Sequence, residues 1–539
     1  MKRVGVSKIV FKYNFFVLLI LNALFFCTVA YFLKFRYEVD DDYFMLLFAS
    51  GKYSGVCDPH LVFINYIYGL LLTFLYSNYA SIEWYTLLFV IIHIFSLSVI
   101  SWYVFIGKRK LLYKILFIGL IYVIEMRLIL LFQFTTTAAI ATLAGVILIC
   151  SKKWYQNLVG VFFVVIGSLI RFEASLLVLF VISPFFLKFF FQKKRFTLSN
   201  QLVFLIAGVT FSLLFKFIDY KVYQSDPEWK CYQEYNQLRG QINDNPNSEL
   251  ILNNLPSGIY KCDYQLLLNF FIDAKTLNMS KIRLINSQLK HVEVTDKLSN
   301  IYPSLRKFTL VLLIISSIWL IILVSTKDRA NKYMLLFSMI IFIFAISYVS
   351  LEATLKDRVF YSALLPLIII MYDSLSDIDI KPMKLSFVVL ICTFVSLFFN
   401  RTNRISCVSE EGRKVFRQQN SLLKEYIGNN KSVIRFCGDI AFEFSDPFSI
   451  SSSININKIY ISDWATNMPT NKLFFYSFQD LINKHSIFLE KRNANSVLTL
   501  IKESIFLNYS IRVMSKIELQ SKDYIIVKLY TKKTHYNFE

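Results

Sequence analysis

Apolar runs long enough for the core of a bilayer recur along this chain, separated by short basic or mixed-charge stretches. They fall at 15–33, 84–106, 111–131, 133–150, 158–173, 174–191, 201–218, 306–325, 333–351, 358–374 and 384–400, and each reaches or approaches the roughly 20 residues that a membrane-crossing helix needs. The pattern predicts about 11 transmembrane helices. A further run at 61–76 is shorter, and counting it as a span would place Lys108-Arg109-Lys110 outside. It is therefore read as a helix lying in, or re-entering, the outer interface.

Two stretches break this rhythm. The segment 219–305 is polar, with helical periodicity near 228–241, 263–275 and 280–298, interrupted by Pro246, Asn247, Pro256, Ser257 and Gly258. After Arg401 the pattern changes again: 432–437, 458–462, 486–489 and 524–530 read as short strands, and 411–427 and 493–506 as helices. The expected fold is a polytopic α-helical membrane protein. A transmembrane domain at 1–400 carries a first extracytoplasmic loop at 36–83 and a large one at 219–305, and a small extracytoplasmic α/β domain occupies 401–539.

Composition agrees with this pattern and excludes a soluble alternative. The chain has 539 residues, 55% of them hydrophobic, with 53 Phe and 32 Tyr, and a mean hydropathy of +0.50. One soluble core cannot hide that much apolar surface. The formal charge of +21 would point to nucleic acid in a soluble protein. Here the cations lie in short runs between apolar segments: Lys108-Arg109-Lys110, Lys152-Lys153, Lys193-Lys194-Arg195, Lys327-Asp328-Arg329 and 381–384. The positive-inside tendency accounts for them, with the N-terminus cytoplasmic and the C-terminal domain outside a multi-pass cell-membrane protein. No nucleic-acid partner is expected.

Chemistry concentrates just after the first apolar run, in Glu38-Val39-Asp40-Asp41-Asp42-Tyr43-Phe44-Met45. Carboxylates packed this densely repel one another unless a cation or a reacting hydroxyl relieves them, and acids at a membrane boundary are usually functional. The plain alternative is a solvated acidic loop that ends a helix. Mixed charges also interrupt the apolar pattern where helices should reach the same side: Glu125 with Arg127, Arg171 with Glu173, and Glu352 with Lys356, Asp357 and Arg358. The plain reading of each is local ion pairing. Together they predict a polar cavity at the outer leaflet, at the depth of a lipid phosphate. A carboxylate there would take a proton, and cations would hold a departing phosphate.

The first span, the external acids and an apolar helix that begins at Asp58-Pro59-His60 and ends at Leu75-Tyr76 resemble the GT-C superfamily of membrane glycosyltransferases. Protein O-mannosyltransferases, oligosaccharyltransferases and the lipid A aminoarabinose transferases belong to it. The specific part of the resemblance is residues 38–76; the many-span plan and C-terminal domain extend it loosely over the chain. In that superfamily the first external loop carries paired acids. Glu38-Val39-Asp40, Asp40-Asp41-Asp42 and the Asp41-Asp42 pair each match, and Asp41-Asp42 leads straight into the Ser50-Gly51-Lys52-Tyr53-Ser54-Gly55 turn. Asp58-Pro59-His60 stands where the superfamily often has His-Pro-Pro.

The resemblance implies inverting transfer of a sugar from a polyprenyl-phosphate donor to a saccharide, lipid or protein acceptor on the outer face. Asp41 and Asp42 are the candidate catalytic pair. Arg171, Lys356 and Arg358 would bind the donor phosphate, with Glu173, Asp58 and His60 in support. Asp40 and Asp42 would hold Mg²⁺ or Mn²⁺ if a metal is used, since hard ions prefer oxygen ligands. Cys231 and Cys262 in the large loop are a candidate disulfide. The competing reading is a transporter, flippase or polymerase of lipid-linked saccharides; no internal repeat supports transport.

Overall fold

A computed structural model of the chain describes residues 3–192, 200–245, 247–273, 275–290, 301–375 and 381–428, and in the C-terminal part 431–435, 440–448, 459–460, 464–465, 467–472, 477–482 and 484–531. Lys193-Lys194-Arg195, Pro246, Cys437, Asp439, Asp463, the ends of strand 458–462 and helix 280–298 beyond residue 290 lie outside the described residues.

Where the sequence is apolar the structure is helical. The helices are α1 (Arg3–Leu33), the short α2 (Asp41–Ala49), α3 (Tyr66–Asn78), α4 (Trp84–Ile106), α5 (Leu111–Leu130), α6 (Phe134–Ile149), α7 (Trp154–Ile170), α8 (Phe172–Gln192) and α9 (Asn200–Ser225). After the polar segment come α13 (Ile301–Arg306), α14 (Thr309–Ser325), α15 (Arg329–Glu352), α16 (Asp357–Ser374) and α17 (Lys381–Ile427). Among the described residues five helices are long and apolar enough to cross a membrane: Phe15–Leu33, Trp84–Ile106, Asn200–Ser225, Arg329–Glu352 and Met383–Ile427. Shorter apolar helices accompany them at Phe134–Ile149, Trp154–Ile170, Phe172–Phe186 and Thr309–Ser325. Large apolar side chains such as Ile20, Phe217, Ile340 and Leu385 stand exposed on these helices, as a lipid-facing surface requires. The chain is an α-helical membrane protein.

At the centre lies α6, buried along its whole length. Its neighbour α7 comes unusually close. A Cβ at Gly145 would sit 2.6 Å from the Gly160 carbonyl oxygen, and one at Gly160 equally close to the Gly145 oxygen. Small residues permit this backbone approach, which supplies dispersion where no hydrophobic effect operates between helices. The hydroxyl of Thr142 donates to Ser175 Oγ at 2.8 Å, tying α6 to α8. This seam fixes the start of α6 and the α7–α8 junction against each other.

A two-residue strand, β1 (Arg36–Tyr37), pairs in parallel with β2 (Leu131–Phe132), and the Glu38 amide donates to the Phe132 carbonyl at 3.0 Å. The acidic segment is thereby fastened between the end of α5 and the start of α6. Strands this short leave no periodicity to read.

The polar segment forms α10 (Pro227–Asn243), α11 (Lys261–Leu268) and α12 (Met279–Lys290). Cys231 and Cys262 are both free thiols, Cys231 exposed and Cys262 buried. The tail carries a five-stranded mixed sheet in the order β4-β3-β5-β7-β6, with β3 (Val433–Arg435), β4 (Ile459–Tyr460), β5 (Ser486–Glu490), β6 (Val513–Gln520) and β7 (Tyr524–Thr531), and α18 (Lys491–Tyr509). The edge strand β6 was not among the expected elements; its solvent-exposed positions blur the alternation that marks a strand. Buried carboxylates join segment and tail: Asn508 Nδ2 donates to Asp263 Oδ2 at 2.9 Å, and the Phe478 amide to Asp273 Oδ2 at 2.9 Å. At Arg401 the composition changes but the backbone does not. Helix α17 runs through to Ile427 over 47 residues, because no proline breaks it after Pro382.

Candidate active site

The acids sit where a helix begins. Asp40 is the N-cap of α2, and Asp41 and Asp42 are its first two residues. Carboxylates are favoured there by the helix dipole and its unpaired N–H groups. After α2 the chain reverses at Ser50 and at Gly51, whose φ of +70° suits only glycine and where a Cβ would meet the Cys57 nitrogen at 2.8 Å.

Successive helix positions diverge by about 100°, and Asp41 and Asp42 part accordingly. Asp42 is fully buried. Its Oδ1 accepts the Tyr85 hydroxyl at 2.9 Å and the Phe134 amide at 3.1 Å, and burial pushes its carboxyl far above the ordinary carboxylate range. Asp42 therefore clamps α2 to α4 and α6 and, unlike Asp41, is not among the residues that line the cavity to which Arg171 and Arg358 contribute. Asp42→Ala should strip two buried donors of their acceptor, at roughly 2–4 kcal/mol. Thermal unfolding should show this as a loss of several degrees, with Asp42→Asn recovering much of it.

Asp40 and Asp41 instead line a cavity of about 840 Å³, and Arg171, Glu173, Lys356 and Arg358 line the same cavity. Arg171 lies in extended backbone between α7 and α8, while Lys356 caps α16 and Arg358 is its second residue. The seam of α6 and α7 brings Phe134 and Thr135 to this end. Asp58 and His60 do not line it. His60 stacks on Trp229 at 4.3 Å, its Nδ1 is 2.8 Å from Asp58 Oδ1, and Asp58 Oδ2 accepts the Thr470 hydroxyl at 2.9 Å. That pair anchors the turn before α3.

The cations are unequally committed. Arg171 Nε pairs with Glu173 Oε2 at 3.0 Å and lies over Phe63 and Phe134. Lys356 reaches Asp244 Oδ1 at 3.9 Å. Among the described residues the Arg358 side chain makes no hydrogen bond or ion pair, although its charge acts on Glu38 and Asp41. A cation near a helix N-terminus works against the dipole, so Arg358 is placed at a cost to stability. Glu125 and Arg127 turn to different partners: Glu125 Oε1 lies 2.6 Å from buried His93 Nδ1, and Arg127 pairs with Asp357, which Lys307 also holds at 3.1 Å.

Burial, and then the neighbouring charge of Asp40, lift the Asp41 carboxyl from 3.8 to about 6, against the opposing pull of Arg358, Arg239 and the Trp464 indole. A general base is most useful when its pKa lies near the working pH. The donor set fits a metal poorly. Asp40 faces the cavity whereas the Asp42 carboxylate is engaged elsewhere, and among the described residues no three His, Cys, Asp or Glu side chains converge.

Sequence reasoning missed Arg239, Trp464 and Thr135, all of which line the cavity. Only the helical periodicity of 227–243 could have placed Arg239 on an inward face, on the same side as buried Tyr232, Tyr235 and Ile242. No family model matches the chain, and no curated protein matches it.

Proposed function

We propose that this protein is an integral membrane glycosyltransferase of GT-C type with 11 spans, moving a sugar from a polyprenyl-phosphate donor to an acceptor on the outer face. The observation that carries the reading is that the Asp41 carboxyl, with a pKa of about 6, lines the same cavity as the Arg358 guanidinium, which has no ion pair among the described residues. One part of its wall is apolar. Leu176 and Phe180 line it while also standing exposed on the surface of α8, beside Phe344 of α15 at a ring distance of 6.3 Å. That opening suits an isoprenoid chain entering from lipid.

In the reaction, an acceptor hydroxyl attacks the anomeric carbon from the face opposite the phosphate. Asp41 takes the hydroxyl proton as the new C–O bond forms, and the bond to the phosphate oxygen breaks. The polyprenyl phosphate leaves with its electron pair, and Arg358 stabilises the charge that develops on it. Displacement at the opposite face inverts the anomeric configuration. Asp40, adjacent in the chain, keeps the base from becoming too weak by raising its pKa.

The test is a pH profile. Asp41 acts only when deprotonated, so kcat/KM should fall below about pH 6 and level off above about pH 7. A profile flat from pH 5 to 8 in the wild-type enzyme would remove Asp41 from the base role.

A further inference from the structure

Arg239 is 6% exposed, yet among the described residues no carboxylate pairs with it. Its Nε and Nη2 share one acceptor, Asn236 Oδ1, at 3.2 and 2.8 Å, and its guanidinium lies 5.2 Å from the Phe270 ring. A buried charge is normally paired, because desolvation without a counter-ion costs several kcal/mol. This one lines the cavity and acts on Asp41 without pairing with it, so a directly paired anion is sought in what the cavity binds.

Two guanidinium groups therefore await anions, and they come from different places. Arg358 belongs to the start of α16, next to the apolar wall formed by Val349 and Val359, where a lipid phosphate would arrive. Arg239 belongs to α10 of the polar segment, a different element from α8, which carries the exposed apolar side chains Leu176 and Phe180. Arg171 is neutralised by Glu173 and Lys356 is drawn to Asp244, so neither competes for the same role.

We infer that the substrates bring two separate anionic groups to this site: the lipid phosphate, on Arg358, and a second phosphoryl or carboxylate group, on Arg239. The inference rests on the transferase reading and narrows it. A guanidinium offers parallel N–H groups matched to just these oxyanions. The second group belongs either to the donor, as a diphosphate, or to an acidic acceptor.

The experiment measures binding to the full chain in lipid nanodiscs, using wild type, Arg239→Gln, Arg239→Lys and Arg358→Ala. The probes are undecaprenyl phosphate and undecaprenyl diphosphate. On protein preloaded with undecaprenyl phosphate, they are a glycerol-phosphate trimer and trigalacturonate, with maltotriose as the neutral control. Wild type should prefer an anionic probe to its counterpart by about tenfold or more, Arg239→Gln should abolish that preference, and Lys should restore part of it. Preference for the diphosphate assigns the second anion to the donor; preference for an acidic trimer assigns it to the acceptor. Absence of any preference in wild type, or preferences unchanged within about twofold in Arg239→Gln, overturns the inference. If Arg239→Gln does not fold, Arg239→Lys decides, and an undiminished preference there counts against it. Arg358→Ala reports separately: unchanged affinity for undecaprenyl phosphate defeats the underlying transferase site rather than Arg239.

Discussion

Asp41→Asn should lower sugar transfer by about 10²- to 10⁴-fold, the range that a positioned general base contributes, in a protein that is no less stable than wild type. The second half of this result distinguishes a catalytic residue from a structural one. A carboxyl whose folded pKa is raised from 3.8 to about 6 binds its proton more tightly when folded. Its favourable contribution is complete at acid pH and is lost as pH rises through that interval. At neutral pH the buried charge therefore costs the folded chain at most about 3 kcal/mol. Asparagine removes that cost while keeping the shape. Melting temperatures of the two proteins should draw apart, in favour of Asp41→Asn, between pH 4 and pH 8. Truncation at the neighbouring position, Asp42→Ala, should instead destabilise the chain, since Asp42 Oδ1 accepts from both Tyr85 and Phe134.

Arg358→Ala should reduce transfer by about 10²- to 10³-fold, as losing one preorganised partner of a developing charge does elsewhere, and should weaken donor binding by about tenfold or more. Because the side chain has no ion pair of its own among the described residues, its loss leaves no orphaned partner. Folding stability should change by less than about 1 kcal/mol. A second consequence follows from its action on Asp41, whose pKa it holds down. Residual activity of Arg358→Ala should show its acid limb displaced towards higher pH. Lys at this position should restore charge but not the forked geometry, and with it only part of the binding.

The helices were legible because an apolar run of bilayer length has few other fates: 84–106 and 111–131 appear as Trp84–Ile106 and Leu111–Leu130. The gathering of Asp41, Arg171 and Arg358 was foreseeable only as shared sidedness, from charges that interrupt helices at one end. Which of two adjacent acids faces the cavity was not legible, since it depends on where α2 begins. A start one residue later would rotate both side chains by about 100°. Nor was Glu125 legible as the partner of His93, because that contact joins α5 to α4 across sequence. Arg239 was hidden for a related reason: a polar helix shows a buried face only through its neighbours Tyr232, Tyr235 and Ile242. At Arg401 a shift from apolar to polar residues marks a change of surroundings, and α17 passes through it without a change of backbone.

The most direct measurement incubates the purified protein, in lipid, with radiolabelled undecaprenyl-phosphate sugars, alongside Asp41→Asn and Arg358→Ala. The account predicts that one donor loses its label to product or water in the wild-type lane, that Asp41→Asn binds this donor without turning it over, and that Arg358→Ala binds it poorly. No binding of any donor by the wild-type protein, or label release undiminished in Asp41→Asn, would contradict it.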